Sequence, residues 1–230
     1  STLSSSSALQ CANRTDCTPE LQHLLDASLH GHVVIPSGTY PTRRLLVRSH
    51  TKLDLRNATL VVIAGGMPRD DDCLLNVLDA VNVTIEGGGD STMRMVPPDR
   101  SAGSDEGFSH MHVLNVMNST GVTVQGVALE DAPGDGIYIG SISGKRQRPA
   151  SLLGSSFVTI SRVVARRSGR NGMSIIACVH CLIEDSRFEL TNGSEPMAGV
   201  DLEPNTPRDC LHNITFRRCT SIGNGGGGFE

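Results

Sequence analysis

Two kinds of short apolar segment alternate along the chain in a fixed register. The first kind has apolar residues at period two: Val122-Thr123-Val124, Val158-Thr159-Ile160, Leu182-Ile183-Glu184 and Ile214-Thr215-Phe216. The second opens with glycine: Gly136-Ile137-Tyr138-Ile139, Gly172-Met173-Ser174-Ile175, Gly199-Val200-Asp201-Leu202 and Gly228-Phe229-Glu230. Val124 to Gly136, Ile160 to Gly172 and Phe216 to Gly228 are each 12 positions apart. Ile183 to Gly199 is 16, and the extra four positions fall in the segment Thr191 to Met197. Recurrence of this kind is the mark of a solenoid, in which each repeat buries its apolar face against the next. Coils of about 22–24 residues are expected. Alternate side chains on a strand point to opposite faces. Ile137, Met173, Val200 and Phe229 therefore form one inward column, with Ile139, Ile175 and Leu202 forming the next.

Composition agrees with thin stacked layers. Aromatic residues are 3% of the 230 and tryptophan is absent, so the core must be built from aliphatic side chains. Residues 18–29 form the one convincing helix, with Thr18 as its cap, Pro19 in the first turn and a stripe of Leu21, Leu24 and Leu25. Short strands follow at His32 to Tyr40, Leu45 to Val47, Leu53 to Leu55 and Asn57 to Val62. One amphipathic helix ahead of many short strands suits a cap over the open end of a stack. The expected organisation is a lead-in over 1–17 and one domain over 18–230. Because the chain stops inside a repeat strand, further coils or a partner covering that end are expected.

These segments resemble the coil text of the pectate-lyase-like superfamily of right-handed parallel β-helix proteins. The resemblance rests on Thr18-Pro19-Glu20-Leu21-Gln22 through Val34-Ile35-Pro36-Ser37-Gly38-Thr39-Tyr40. It rests also on Gly134-Asp135-Gly136-Ile137-Tyr138-Ile139, Arg170-Asn171-Gly172-Met173-Ser174-Ile175 and Ala198-Gly199-Val200-Asp201-Leu202-Glu203-Pro204-Asn205. It implies an all-β fold, a right-handed single-stranded parallel β-helix with a short N-terminal capping helix, and a saccharide groove lined by outward strand residues. The Asn-Thr-Asp, Asp-Asp and Gly-His-Gly set of polygalacturonases and the Asp-Pro-His signature of mannuronan epimerases are absent, so no catalytic set transfers.

The register itself nominates a site. Two positions after each repeat glycine stand Tyr138, Ser174, Asp201 and Glu230; Asp135 and Asn171 precede the glycine, with Arg170 just ahead. Neighbouring coils lie about 4.8 Å apart, which gathers these residues on one face. Asp201 and Glu203 are two apart on a strand, with Cα atoms about 6.5–7 Å apart. That spacing suits the two carboxyls of a glycoside hydrolase, about 5–5.5 Å apart in retaining and about 6.5–9.5 Å in inverting enzymes. Asp201, Glu203 and Asp135 are the catalytic candidates. Arg170, Tyr138, Asn171, Ser174, Glu195 and Glu230 are the substrate-binding candidates, and the segment from Gly140 to Ser155 is placed to wall the groove. His180 is a weaker catalytic candidate. Outward carboxylates also serve simply to solubilise a solenoid.

Three functions fit this face. One is a glycoside hydrolase on an extracellular polysaccharide. A second is a lyase or C5-epimerase on uronate polymers, with Arg170 or calcium neutralising the substrate carboxylate. The third is a non-catalytic glycan-binding or adhesive solenoid. The formal net charge of -4 suggests neither nucleic acid nor an anionic membrane as partner. The basic runs Lys145-Arg146-Gln147-Arg148 and Arg166-Arg167 read as solvated charge. Asp70-Asp71-Asp72 reads as a solvated loop with weak calcium-binding capacity; no resident cofactor or metal is otherwise expected. Cys11 and Cys17 suit a small disulfide loop. Cys178-Val179-His180-Cys181 lacks the second ligand pair that zinc wants and reads as core or disulfide cysteine. Sequons at Asn13, Asn57, Asn82, Asn118, Asn192 and Asn213, with the cysteines, point to a secreted glycoprotein.

Overall fold

The computed structural model describes residues 2–3, 11, 15–27, 31–63, 73–95, 110–141 and 154–230. They form a right-handed single-stranded parallel β-helix behind one short helix. A coil contributes three strand runs. In one coil these are Cys178–Glu184, Arg187–Glu189 and Val200–Leu202. The first two runs belong to a thirteen-stranded sheet that bends at a corner. The third belongs to a six-stranded sheet, ordered from Val200–Leu202 through Met173–Ile175, Ile137–Gly140, Leu114–Met117 and Leu75–Leu78 to Leu45–Val47. Both inward columns stack in register, Ile137 with Met173 and Met173 with Val200, and Ile139 with Ile175, but Leu202 and Phe229, expected inward on the last coil, are 37% and 51% exposed. Along the other sheet Val124, Ile160, Ile183 and Phe216 align in turn. Most of these side chains have essentially no exposed surface, and they form one continuous aliphatic core.

Coil length departs from the expectation. The step from Val158 to its partner Cys181 is 23 residues, but Val122 to Val158 is 36 and Val83 to Val122 is 39. The 22–24 estimate therefore holds for the step from Val158 to Cys181, while the first coil, from His32 to Lys52, takes 20 residues. Insertions leave at the corners, where added backbone costs little loop-closure entropy and disturbs no layer. The expected strand from His32 to Tyr40 is two strands, His32–Val34 and Gly38–Thr42, because Pro36 and Ser37 turn a corner within the thirteen-stranded sheet. The segments around Lys145, around Asp70 and between Gly140 and Ser155 lie wholly or mostly outside the described residues, and so does Asn13.

The helix spans Thr18–Ala27 and buries Leu21, Leu24 and Leu25. Its cap is not Thr18: the Asp16 carboxylate accepts the Thr18 amide at 2.9 Å, and the Thr18 hydroxyl accepts from the Arg43 amide at 2.7 Å. Gln22 closes the outer edge of the six-stranded sheet. Its Oε1 accepts from the Leu46 amide at 2.9 Å and its Nε2 donates to the Leu46 carbonyl at 3.1 Å, so the side chain replaces a neighbouring strand. Cys11 and Cys17 are not bridged; the Cys17 thiol donates to the Cys11 carbonyl at 2.9 Å. The disulfide present joins Cys178 to Cys181. Asn82, Asn118 and Asn213 stand at φ 56, 49 and 54, left-handed positions that favour asparagine whether or not it is glycosylated. Among the described residues no helix is long and apolar enough to cross a membrane.

Arg166 and Arg167, expected to be solvated, instead close a charge ladder across three coils. Glu130 is 1% exposed and accepts from Arg94 Nε at 2.9 Å, Arg166 Nε at 2.8 Å and Arg167 Nη2 at 3.0 Å. Burial pushes its carboxyl up, but the hydrogen bonds from Arg166 and Arg94 outweigh that and hold it below the usual 4.5. Stability from Glu130 is thus fully present above pH 4.5 and lost as pH falls through the lowered value. Glu130→Gln is expected to cost about 2–3 kcal/mol at neutral pH, less than a fully buried pair because the arginines stay part-solvated. Urea unfolding at pH 7 and pH 3.5 checks this: the gap between variant and wild type narrows in acid.

Candidate active site

The outer face of the six-stranded sheet carries the nominated residues, held by the strands Ile137–Gly140, Met173–Ile175 and Val200–Leu202 and by the turns before them. Parallel pairing puts Tyr138 beside Ser174 and Ser174 beside Asp201. Arg170 lies across these coils. Its Nη1 reaches Asp135 Oδ2 at 3.3 Å and Ser174 Oγ at 3.4 Å, and its Nη2 donates to Glu203 Oε2 at 2.9 Å. Asn171 ties the same coils underneath. Its Nδ2 donates to Ser174 Oγ at 3.0 Å and to Asp201 Oδ2 at 3.2 Å, while its Oδ1 accepts from the Ala198 amide at 2.9 Å.

The structure brings Asp135, Arg170, Asn171, Ser174, Asp201 and Glu203 into one bonded cluster, but it divides them by depth. Asp135, Asn171 and Ser174 have no exposed surface, so the expectation that they line an open groove is corrected: they form the floor beneath Arg170. Asp201 is 6% exposed, while the Glu203 and Arg170 side chains are 46% and 19% exposed. Glu230 is exposed and its Oε1 accepts from the Gly227 amide at 2.7 Å. Glu195 is exposed in the loop after strand Arg187–Glu189 and takes no part in the cluster. His180 lies on the other sheet, against Phe157.

Burial sets the electrostatics. It pushes the Asp135 carboxyl up to about 6 although Arg170 and the Asn171 amide oppose it. Burial likewise pushes Asp201 up to about 6, reinforced by the charge and hydrogen bond of Glu203. Tyr138 is pushed up to about 12 by burial and by the charge of Asp135. His112, which the register analysis missed, completes the floor. Burial, with the charges of His110 and Arg170, pushes its imidazole down to about 3, so it is neutral. Its Nδ1 accepts the Asp135 amide at 3.0 Å, which places the proton on Nε2, and its ring stacks on Tyr138 at 4.6 Å. His112 precedes Asp135 by 23 positions, the same step that pairs Leu114 with Ile137, and that interval is the signal by which it was findable.

A second depression, about 680 Å³, lies in the N-terminal coils near Pro36. Its charged groups pair off, Lys52 with Glu86 at 2.8 Å and Arg56 with Asp54 at 3.1 Å, which leaves no acid poised for chemistry.

No family model matches the chain. Uncharacterized protein YclG of Bacillus subtilis (strain 168) is 26% identical over 241 aligned positions, covering 92% of this chain and 40% of that protein. The chain thus spans about two-fifths of the length of the curated relative it matches. An iota-carrageenase complexed to iota-carrageenan fragments superposes with a TM-score of 0.68 at 14% identity, covering 89% of this chain and 45% of that one. A candidate glycosyl hydrolase of Parabacteroides merdae ATCC 43184 gives 0.64 at 16%, covering 89% and 90%. The tailspike gp49 of Acinetobacter baumannii bacteriophage Fri1, a capsular polysaccharide depolymerase, gives 0.60 at 16%, covering 89% and 37%. At these identities the likeness establishes the fold that the sequence register implies, the right-handed parallel β-helix.

Proposed function

We propose that the protein is a secreted enzyme that cleaves an extracellular polysaccharide, and that it is a glycoside hydrolase. Asp201 is the proton donor to the leaving glycosidic oxygen. Glu203, oriented by Arg170 and hydrogen-bonded to Asp201, is the base that activates water or the nucleophile that attacks the sugar, and that hydrogen bond opens as substrate enters, since hydrolysis needs the carboxyls about 5–9.5 Å apart. The observation that carries the reading is Asp201 itself: a nearly buried carboxyl held up to about 6 beside a second, accessible carboxylate on a strand face. Hydrolysis at a glycosidic bond asks for one protonated and one ionised carboxyl, set apart by environment. Tyr138 offers a ring edge for a sugar, and Asp135, Asn171, Ser174 and His112 position Arg170 and Asp201 from below. The names of the superposed carrageenase and depolymerase support polysaccharide as the substrate class.

Arg170 favours hydrolysis over uronate elimination or epimerisation. A uronate site needs a free cation for the substrate carboxylate. Here the guanidinium is already bracketed by Asp135 and Glu203. Asp209 and Glu230 add negative charge close to Tyr138 and Asp201 respectively. A polymer uncharged at the cleaved residue meets no repulsion there.

A screen of the purified protein against neutral and uronate polysaccharides, reading reducing ends and ultraviolet absorbance together, tests the reading. Reducing ends without new absorbance, lost in Asp201→Asn and in Glu203→Gln, are expected. Unsaturated, absorbing product means a lyase instead. No product from any polymer, or product untouched by both substitutions, ends the carboxylate-pair assignment.

A further inference from the structure

One column of the larger sheet repeats a left-handed backbone in six successive coils: His50, Asn82, Gly121, Phe157, His180 and Asn213, at φ 62, 56, 67, 52, 59 and 54. Register aligns them, since Lys52 pairs with Thr84, Val81 with Thr120, Thr120 with Ser156, Ser156 with Val179 and Val179 with His212. Glycine and asparagine adopt this conformation readily, but a bulky phenylalanine there is an outlier, and such outliers gather at functional positions. Phe157 is also 61% exposed, in a protein with only five phenylalanines. Neither core packing nor backbone preference accounts for it.

Among the described residues the ring has one covered face and one open face. His180 stacks on it from the following coil at 4.9 Å and 20°, so the ring plane lies across the coil axis. On the preceding coil the column residue is Gly121, which has no side chain, and the next side chain in the column is the exposed Asn82. Asn82 and Phe157 are two coils apart, about 9.6 Å, enough for one flat ring between them. Hydroxyl groups of Thr120 and Ser156, 2.8 Å from each other, flank this slot.

We propose that the slot over Gly121 is a saccharide-binding subsite, separate from the carboxylate centre and on the other sheet. One pyranose ring lays its C–H face on Phe157 and directs its hydroxyls to Asn82, Thr120 and Ser156. An exposed aromatic face bordered by uncharged amide and hydroxyl groups matches a sugar ring, which is apolar on its faces and polar at its rim. Such a subsite holds polymer on the protein while the carboxylate face acts on it, and binding here needs no catalysis.

Isothermal titration and saturation-transfer NMR with hexasaccharides of glucose, xylose, mannose and galactose test the proposal on wild type, Phe157→Asn and Gly121→Asn. Asparagine already occupies this column at Asn82 and Asn213, and a Cβ at Gly121 meets nothing nearer than 3.6 Å, so both variants are expected to keep the wild-type melting temperature. At least one hexasaccharide is expected to bind wild type, with saturation passing from a phenylalanine ring. Each substitution, one removing the stack and one filling the slot, should weaken that binding at least tenfold. Loss of the phenylalanine-ring saturation in Phe157→Asn, with the capacity to cleave polysaccharide retained, separates this subsite from the hydrolytic reading. Failure of the whole panel to bind wild type, or equal binding by both slot variants, overturns the subsite even if polysaccharide cleavage by wild type is intact.

Discussion

Asp201→Asn is expected to lower kcat/KM on the cleaved polysaccharide by a factor on the order of 10³, about 4 kcal/mol of transition-state stabilisation. The asparagine oxygen still accepts from Asn171 Nδ2, which now contacts Asp201 Oδ2 at 3.2 Å, so the floor of the site stays in place. What is lost is the proton. The pH profile carries the sign of the effect. Asp201 works protonated and titrates near 6, so kcat/KM falls about tenfold per unit once pH rises well above 6. Glu203 contributes to holding that proton, through its charge and hydrogen bond. Residual activity in Glu203→Gln should therefore show its alkaline limb at lower pH. A profile flat from pH 5 to 8, or an Asp201→Asn enzyme with wild-type kcat/KM and an unchanged melting temperature, removes Asp201 from the chemistry.

Gly172→Ala is expected to destabilise the fold by about 3 kcal/mol or more, because it overpacks a contact between two backbones. A Cβ at this position meets the Gly199 carbonyl oxygen at 2.5 Å and the Phe188 Cβ at 3.0 Å. The carbonyl cannot yield cheaply, since it accepts the Met173 amide at 3.0 Å in the ladder joining the two coils. Gly136 has the same problem with the Gly172 carbonyl at 2.7 Å. Gly228 belongs to the same sequence column, yet its Cβ meets only Ser221 at 3.5 Å, an ordinary contact. In this 230-residue chain Gly228→Ala should therefore change stability by less than about 0.5 kcal/mol. Urea and thermal unfolding of the three alanine variants checks the order. Equal tolerance at Gly172 and Gly228 contradicts close coil contact as the reason for the repeat glycine.

The fold was legible in the sequence because a parallel β-helix writes its packing locally. Each coil repeats an alternation of period two and a glycine where the next coil comes closest, so the distance from Ile160 to Gly172 reports a spatial register directly. The pairing of Ile137 with Met173, and of Met173 with Val200, follows from that alone. Residue pairs on one strand were legible for the same reason, which is how Asp201 and Glu203 were found together. Depth was not legible. A strand position states which way a side chain leaves the backbone, but not whether a long side chain from the next coil folds over it. Arg170 covers Asp135, Asn171 and Ser174, and their exposure vanishes through a contact spanning 35 positions between Arg170 and Asp135. Arg166 and Arg167 read as solvated charge until Glu130, 36 positions earlier, is set beside them. The sequence by itself determined the coil, its register and the shared face of the carboxylates, because those depend on alternation and on glycine. Only the tertiary structure decided which carboxyls are buried, which arginine is already neutralised and where an aromatic ring is left open. Those properties depend on desolvation and on side chains brought together from different coils.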